Sequence, residues 1–333
     1  MLAQYGFGRP ALRRAGIGKG KTMIEETVRR ITDNVQKVIV GQRETVELAL
    51  VALICEGHIL IEDVPGIGKT TMAKAVSRSI GCTFRRIQFT PDLLPSDITG
   101  ISFFNQKAQE FEYRPGPLMA QVVLADEINR ATPRTQSALL EAMQERQLTI
   151  DGQTRALPRP FVVLATQNPI ELEGTFPLPE AQIDRFLLKL KLGYPSEEQE
   201  NDILLRFETE DPLETLAPVA QDTDILEMRR EASGVRVEQS VRSYIVRVAR
   251  ATREHAAVDL GVSPRGTLAL YKTAQAFAAI RGRDYVIPDD VKRLAPHVLT
   301  HRIMISPQTR LRGRMPEEVM MEIVDSVSVP VEE

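Results

Sequence analysis

Hydrophobic positions recur with two different spacings, and the change between them divides the chain. From residue 24 to 194, helical spacing alternates with segments of strand length. Three of them, at 58–62, 122–125 and 161–166, are apolar runs, and two, at 84–89 and 187–192, alternate between apolar and polar residues. Such short apolar runs are typical of parallel strands covered on both faces, so we predict an α/β core with a parallel sheet. From residue 195 to 333 the spacing is helical throughout, which predicts an all-helical C-terminal domain.

Three segments depart from this pattern. Residues 1–23 carry five basic residues, no acidic residue and several glycines, and we interpret them as a disordered basic arm. In residues 101–114, β-forming residues flank a polar centre, which predicts a hairpin. A second hairpin is predicted within residues 147–159, where Asp151 and Gly152 suit a type I′ turn.

The first chemical signal follows the apolar run at 58–62. The loop Gly66-Ile67-Gly68-Lys69-Thr70 joins that run to a helix-forming segment. Backbone N–H groups and the positive end of a helix dipole then point to one place, which suits a phosphate chain. Lys69 adds a cation for the β- and γ-phosphates, and the Thr70 hydroxyl is placed to hold Mg²⁺. Asp63 stands where the usual motif has glycine. We interpret the loop as a nucleoside triphosphate site; the alternative is a glycine-rich turn without a ligand.

A second Gly-Lys-Thr sequence, within residues 16–22, is a decoy. The residues before it, Ala11-Leu12-Arg13-Arg14, do not read as a strand. Without a strand to fix the loop, its backbone N–H groups have no common direction. We therefore discard it as a phosphate site.

The second chemical signal is a pair of carboxylates, Asp126 and Glu127, at the end of the run 122–125. Open α/β sheets bind ligands at this edge. We expect Asp126 to bind Mg²⁺ and Glu127 to orient and deprotonate the attacking water. The alternative, that the pair only caps the next helix, is disfavoured by the Gly-Lys-Thr loop about 55 residues upstream. Asn168, at the end of the next apolar run, is a candidate to contact the γ-phosphate or the attacking water. The alternative is that it is a turn-forming residue before proline.

Composition narrows the class of protein. The chain has 333 residues, enough for two domains, and a net charge of −3, so no polybasic signature for nucleic acid is present. Cys55 and Cys82 form no C-x-x-C pair and are expected to be buried thiols in a reducing, cytoplasmic environment. No run approaches the roughly 18 apolar residues of a membrane span.

Together these motifs resemble those of AAA+ ATPases, and more closely those of the MoxR family. The resemblance covers about residues 25 to 325 and rests on the segments Val40-Gly41-Gln42, 62–70, Asp126-Glu127-Ile128-Asn129-Arg130-Ala131, 136–145, Ala165-Thr166-Gln167-Asn168-Pro169, 178–186 and Ser263-Pro264-Arg265. The family also tends to carry aspartate at the position of Asp63.

The resemblance assigns a role to each motif. Lys69 and Thr70 match Walker A, and Asp126 and Glu127 match Walker B. Asn168 matches sensor 1, Arg185 an arginine finger that acts on a neighbour's nucleotide, and Arg265 sensor 2 of the helical lid. The residues expected to act in catalysis are therefore Lys69, Glu127, Asn168, Arg185 and Arg265. Those expected to contact the nucleotide are Val40, Gly41, Pro65, Gly66, Ile67, Gly68, Lys69, Thr70, Thr71, Asp126, Asn168 and Arg265, with Thr70 and Asp126 as Mg²⁺ ligands.

The same resemblance implies an ATPase that works as a ring, a hexamer by analogy, and remodels or activates a partner. Such partners include von Willebrand factor A-domain proteins and metal- or cofactor-containing enzymes. One alternative is a subunit like the ATPase component of magnesium chelatase, which shares most of these motifs. A DNA-acting motor is another, against which stand the net charge of −3 and the lack of a DNA-binding module. A non-catalytic scaffold is disfavoured by Glu127.

Overall fold

The computed structural model describes residues 22–169, 174–208 and 211–330. Almost all of the predicted basic arm, including the decoy loop, lies outside these ranges. The last decoy residue, Thr22, caps the first helix, since its hydroxyl accepts the backbone N–H of Glu25 at 3.2 Å. This helix begins at Met23, the last residue of the predicted arm.

Strands and helices alternate in the order that the pattern predicted. In the described ranges the strands are β1 (Ile59–Glu62), β2 (Phe84–Gln88), β3 (Gly100–Asn105), β4 (Glu110–Pro115), β5 (Val122–Asp126), β6 (Gln147–Ile150), β7 (Gln153–Ala156), β8 (Val162–Gln167), β9 (Leu188–Leu190), β10 (Val258–Leu260) and β11 (Met304–Ile305). The α-helices are α1 (Met23–Val35), α2 (Arg43–Ile54), α3 (Lys69–Ser79), α4 (Pro95–Thr99), α5 (Pro133–Glu145), α6 (Glu180–Ile183), α7 (Glu197–Arg206), α8 (Asp222–Ser233), α9 (Gln239–Glu254), α10 (Pro264–Ile280), α11 (Pro288–Leu299), α12 (Pro307–Leu311) and α13 (Pro316–Ser326).

Five strands form the parallel sheet that positions the site, in the order β2-β5-β8-β1-β9. The register sets Gln88 beside Asp126 and Glu62 beside Gln167. All five strands run in one direction, so their carboxyl ends lie along one edge and their amino ends along the other. The two predicted hairpins, β3–β4 and β6–β7, are confirmed as separate antiparallel pairs.

The central strands β1, β5 and β8 are buried on both faces, as their unbroken apolar runs predicted. Ile59 and Ile61 of β1 belong to one core cluster with α1, α2, α3 and helices from the C-terminal part. Leu60, between them, belongs to the cluster on the opposite face with residues of α5. Alternate residues of a strand point to opposite faces, so a strand with two covered faces has to be apolar at every position.

The C-terminal part is helical, and it contains one feature that the pattern did not predict. Strands β10 and β11 pair in an antiparallel, two-stranded sheet beside the helices. They are three and two residues long, too short for their alternation to stand out from the helical spacing on either side. The predicted domain boundary after residue 194 falls between β9 and α7.

Candidate active site

The phosphate-binding loop has the backbone that a nucleotide requires. Gly66 and Gly68 have φ of +85° and +90°, and a side chain added at either would meet no atom within 4 Å. Glycine is needed there for its left-handed conformation, and the open space leaves room for a phosphate. Helix α3 begins at Lys69, directly after Gly68, so its N-terminal N–H groups face the loop.

Lys69 is held inside this loop. Its Nζ donates to the carbonyl oxygen of Asp63 at 2.8 Å. Burial lowers the pKa of Lys69, while the carboxylates of Asp126, Asp63 and Glu127 act in the opposite direction. The ammonium group is therefore within electrostatic range of the carboxylates at the end of β5.

The Asp63 carboxylate explains the departure from the usual motif. Its Oδ2 accepts the backbone N–H groups of Leu192 and Gly193 at 2.7 and 2.8 Å. Its Oδ1 accepts the N–H of Val64 at 3.0 Å. The φ of Asp63 is not positive, so this position does not require glycine. The aspartate therefore joins the loop to the segment that follows β9.

Asp126 lies at the carboxyl end of β5 with both oxygens engaged. Oδ1 accepts the Thr166 hydroxyl at 2.6 Å, and Oδ2 accepts Nη2 and Nε of Arg86 at 2.6 and 3.1 Å. Sequence reasoning missed Arg86, which reaches Asp126 only because β2 and β5 are neighbours in the sheet. The pairing shows that this buried carboxylate favours a cation, which is what a Mg²⁺ ligand requires.

Glu127 adopts a left-handed conformation, with φ of 56° and ψ of 50°. Residues other than glycine seldom adopt it. The Glu127 N–H donates to Thr166 Oγ1 at 2.8 Å, and its Oε2 accepts Gln88 Nε2 at 2.8 Å and Arg130 Nη1 at 3.0 Å. The conformation turns the carboxylate out of the strand direction. Gln88 and Arg130 hold the carboxylate there, and Thr166 holds the backbone.

These groups face a common cavity of 340 Å³, the phosphate cavity. Asn168 lies in its wall and is 8 % exposed. Its lining residues are Pro65, Gly66, Gly68, Lys69, Thr70, Thr71, Arg86, Asp126, Glu127 and Asn168. The structure thus brings together all the predicted Walker A, Walker B and sensor 1 side chains. Thr70 and Asp126 present a hydroxyl and a carboxylate oxygen, a donor set that fits Mg²⁺.

A second cavity of 410 Å³ continues from the phosphate loop, since both cavities share Pro65, Gly66, Gly68 and Thr71. We name it the purine cavity after the occupant that the sequence predicts. The predicted contacts Val40 and Ile67 line it, together with Val38, Ile39, Gln42, Gly193, Tyr194, Pro195, Glu200, Ile203 and Phe207. Gly41 does not line it: a side chain added there would clash with the amide group of Gln199, so the glycine allows close packing of α7.

Arg185 and Arg265 line neither of these cavities. They lie together in a third, basic cavity of 350 Å³, which also contains Arg146, Lys272 and Arg302. Gly57 and His58, just before β1, and Leu187, just before β9, also line it, as do the acidic residues Glu56 and Asp184. The basic cavity is therefore at the amino edge of the sheet, whereas the phosphate loop follows the carboxyl end of β1. Arg185 Nη1 donates to the Leu140 carbonyl at 3.0 Å.

One buried ion pair connects the two arginine segments. Arg302, whose side chain is 2 % exposed, donates through Nε to Asp184 Oδ1 at 2.8 Å. The other carboxylate oxygen of Asp184 accepts the Ser263 hydroxyl at 3.2 Å. A side chain added at Gly266 would meet Arg302 Cδ at 2.8 Å. Arg302 thus contacts the residue before Arg185 and the residue after Arg265.

Comparison with known proteins agrees with this geometry. The profile of the ATPase family associated with various cellular activities matches residues 58–188, and that of the AAA lid domain matches residues 250–323. The fold and site define an AAA+ ATPase.

Several relatives identify the family. Chaperone MoxR1 of Mycobacterium tuberculosis is 43 % identical, over 95 % of this chain and 85 % of its own length. The uncharacterized protein YeaC of Bacillus subtilis is 54 % identical, over 91 % and 95 %. A crystallised protein of Cytophaga hutchinsonii, assigned as an ATPase, superposes with a TM-score of 0.87 at 38 % identity, over 92 % of this chain and 96 % of its own. The chain belongs to the MoxR family of AAA+ ATPases.

Proposed function

We propose that the protein hydrolyses ATP with Mg²⁺ in a ring, in which each subunit completes the site of its neighbour, and that the ring remodels or activates a partner protein. The observation that carries the ring is the position of Arg185 and Arg265. Both lie at the amino edge of the sheet, across β1 from the subunit's own phosphate loop. A four-residue strand spans about 13 Å. An arginine on that side does not line its own phosphate cavity, and so it is available to a second subunit.

The phosphate cavity supplies the remaining parts of the reaction. Lys69 and the α3 N-terminus bind the phosphates, and Thr70 and Asp126 would hold Mg²⁺. Mg²⁺, when bound, offsets negative charge on the β- and γ-phosphates. Glu127 accepts the proton of the attacking water, and Asn168 orients that water or the γ-phosphate. The arginines of the neighbour stabilise the charge that develops on the transferring phosphoryl group, which can be worth roughly 10³-fold or more in rate.

Mixing two inactive variants tests the ring. Arg185→Ala should bind ATP and hydrolyse it poorly, and Glu127→Gln should bind ATP and not hydrolyse it. In a mixed ring, an Arg185→Ala subunit keeps its own Glu127 and receives Arg185 from a Glu127→Gln neighbour, so activity should return. Arg185→Lys, which keeps the charge and lacks the planar fork, is the matched control. If the two variants co-assemble and no activity returns, Arg185 does not act between subunits.

The choice of a protein partner rests on the family and on charge. MoxR1 is named a chaperone, and the net charge of −3 gives this chain no overall attraction for nucleic acid. We therefore propose a cytoplasmic hexamer whose client is a von Willebrand factor A-domain protein or a metalloenzyme. In the ranges that the structure describes, no helix is both long and apolar enough to cross a membrane. Isolation of the protein from its own cells with bound clients tests this choice.

A further inference from the structure

Asp63 connects the two halves of the nucleotide site. The carbonyl oxygen of Asp63 accepts a hydrogen bond from Nζ of Lys69, the residue expected to bind the phosphates. Its carboxylate accepts the N–H groups of Leu192 and Gly193, which begin the segment leading to α7. Hydrogen bonds to an ionised acceptor are shorter and roughly twice as strong as neutral ones, and both of these are below 2.9 Å.

The segment that Asp63 holds forms one wall of the purine cavity. Gly193, Tyr194 and Pro195 all line it. Tyr194 is 74 % exposed, so packing of its own side chain does little to fix this wall. On the other side, Gln42 Nε2 donates to the Leu192 carbonyl at 2.9 Å and also lines the cavity. The segment is thus held at its first peptide groups, by Asp63 on one side and Gln42 on the other.

We propose that Asp63 is a positioning residue for the base of the nucleotide: its carboxylate fixes the 192–195 wall against the phosphate loop, and thereby sets the affinity for the nucleoside part of ATP. The inference rests on the proposed placement of ATP across the phosphate and purine cavities. It gives the unusual residue of the phosphate loop a role that glycine, the usual residue there, cannot perform.

Replacement of Asp63 by glycine, the usual residue of the motif, tests whether the carboxylate positions the wall or is only tolerated at this position. Asp63→Gly makes the sequence match the ordinary motif, and its backbone suits the position because φ is not positive. Without the carboxylate, the 192–195 wall loses its contacts with the loop. We expect ATP affinity to fall at least about tenfold, since one lost hydrogen bond to a charged group is equivalent to that change and Asp63→Gly removes two. The affinity for inorganic tripolyphosphate, which has no base, should stay unchanged.

Two further variants sharpen the test. Asp63→Asn keeps one acceptor oxygen, which can accept the N–H groups of both Leu192 and Gly193. Its ATP affinity should therefore stay within about threefold of wild type. Glu62→Gln removes the neighbouring carboxylate, which pairs with Lys189 and lines neither cavity, and should change neither affinity. Thermal unfolding is measured for each variant. If Asp63→Gly does not fold, Asp63→Ala provides the same comparison.

The outcomes are distinct, with binding measured by calorimetry on the full chain. A loss confined to ATP and rescued in Asp63→Asn supports the proposal. An equal loss of affinity for ATP and tripolyphosphate would mean that Asp63 shapes only the phosphate loop. No loss of affinity would mean that the carboxylate does not position the wall. Either result overturns the proposal. The placement of the nucleotide is tested separately by Lys69→Ala, which should abolish the binding of both ligands. If Lys69→Ala binds both as wild type does, the proposed site itself is wrong.

Discussion

Loss of the Arg302 guanidinium is expected to loosen the C-terminal part from the core. Arg302 donates to the carbonyls of Asp184, Phe186 and Leu187, at 3.2, 2.5 and 3.3 Å, and also to the carbonyl of Val298. With the Asp184 carboxylate, these contacts join the segment before β9 to the segment after α11. Arg302→Met keeps a similar apolar stem and removes every donor.

The size of the effect follows from burial. Removal of one partner of a buried ion pair typically costs 3–5 kcal/mol, because the other partner stays behind without compensation. The Asp184 side chain is 22 % exposed, so water can solvate part of the orphaned carboxylate. We therefore expect Arg302→Met to lower the free energy of unfolding by about 3 kcal/mol, at the lower end of that range.

Urea unfolding measures this difference. Arg310→Met is the matched control, since Arg310 is exposed on α12, and it should change stability by under about 0.5 kcal/mol. Because Arg302 contacts residues adjacent to Arg185 and Arg265, the variant should also hydrolyse ATP more slowly under conditions where it is folded and still binds ATP. A cost below about 1 kcal/mol would refute the reasoning, since the pair would then behave as an exposed one.

Two other predictions concern the roles of Lys69 and Glu127 in the nucleotide site and the effect of DNA on turnover. Lys69→Ala should abolish ATP binding, whereas Glu127→Gln should bind ATP with near wild-type affinity and hydrolyse it at least 100-fold more slowly, about the effect of losing a general base. Calorimetry measures the binding and phosphate release measures the hydrolysis. Turnover near the wild-type rate in Glu127→Gln would mean that Glu127 is not the base. Single- or double-stranded DNA added at low salt, where phosphate contacts are strongest, should not stimulate turnover, and strong salt-dependent stimulation would favour a DNA motor instead.

The sequence predicted those parts of the site that are contiguous in the chain. Lys69 and Thr70 follow a strand and begin a helix, and Asp126 and Glu127 end a strand, so local order alone places each group at one edge of the sheet. The structure confirms that these residues share a cavity with Asn168. Parallel strands made this possible, because every strand delivers its last side chains to the same edge.

The sequence could not show contacts that depend on strand order or on close packing. Arg86 reads as a polar position of a half-buried strand, and its role beside Asp126 appears only when β2 is known to pair with β5. Thr166 contacts Asp126 and Glu127 for the same reason, since β5 pairs with β8. Gly41, which was predicted to contact the nucleotide, packs closely against Gln199 of a helix about 160 residues later, a contact that no local pattern contains.

Strand β9 explains how the C-terminal part can be attached at two places at once. Asp184 precedes it and pairs with Arg302, while Leu192 and Gly193 follow it and bind Asp63. The strand itself has three residues, spans about 10 Å, and pairs in parallel with β1 between the two attachments. Strand β1 in turn sets the spacing between the phosphate loop, which follows its carboxyl end, and the basic cavity, whose lining includes His58 just before it. A ring in which each subunit lends its arginines to the next requires that spacing to be constant, because an arginine finger acts only within hydrogen-bond distance of the phosphoryl group.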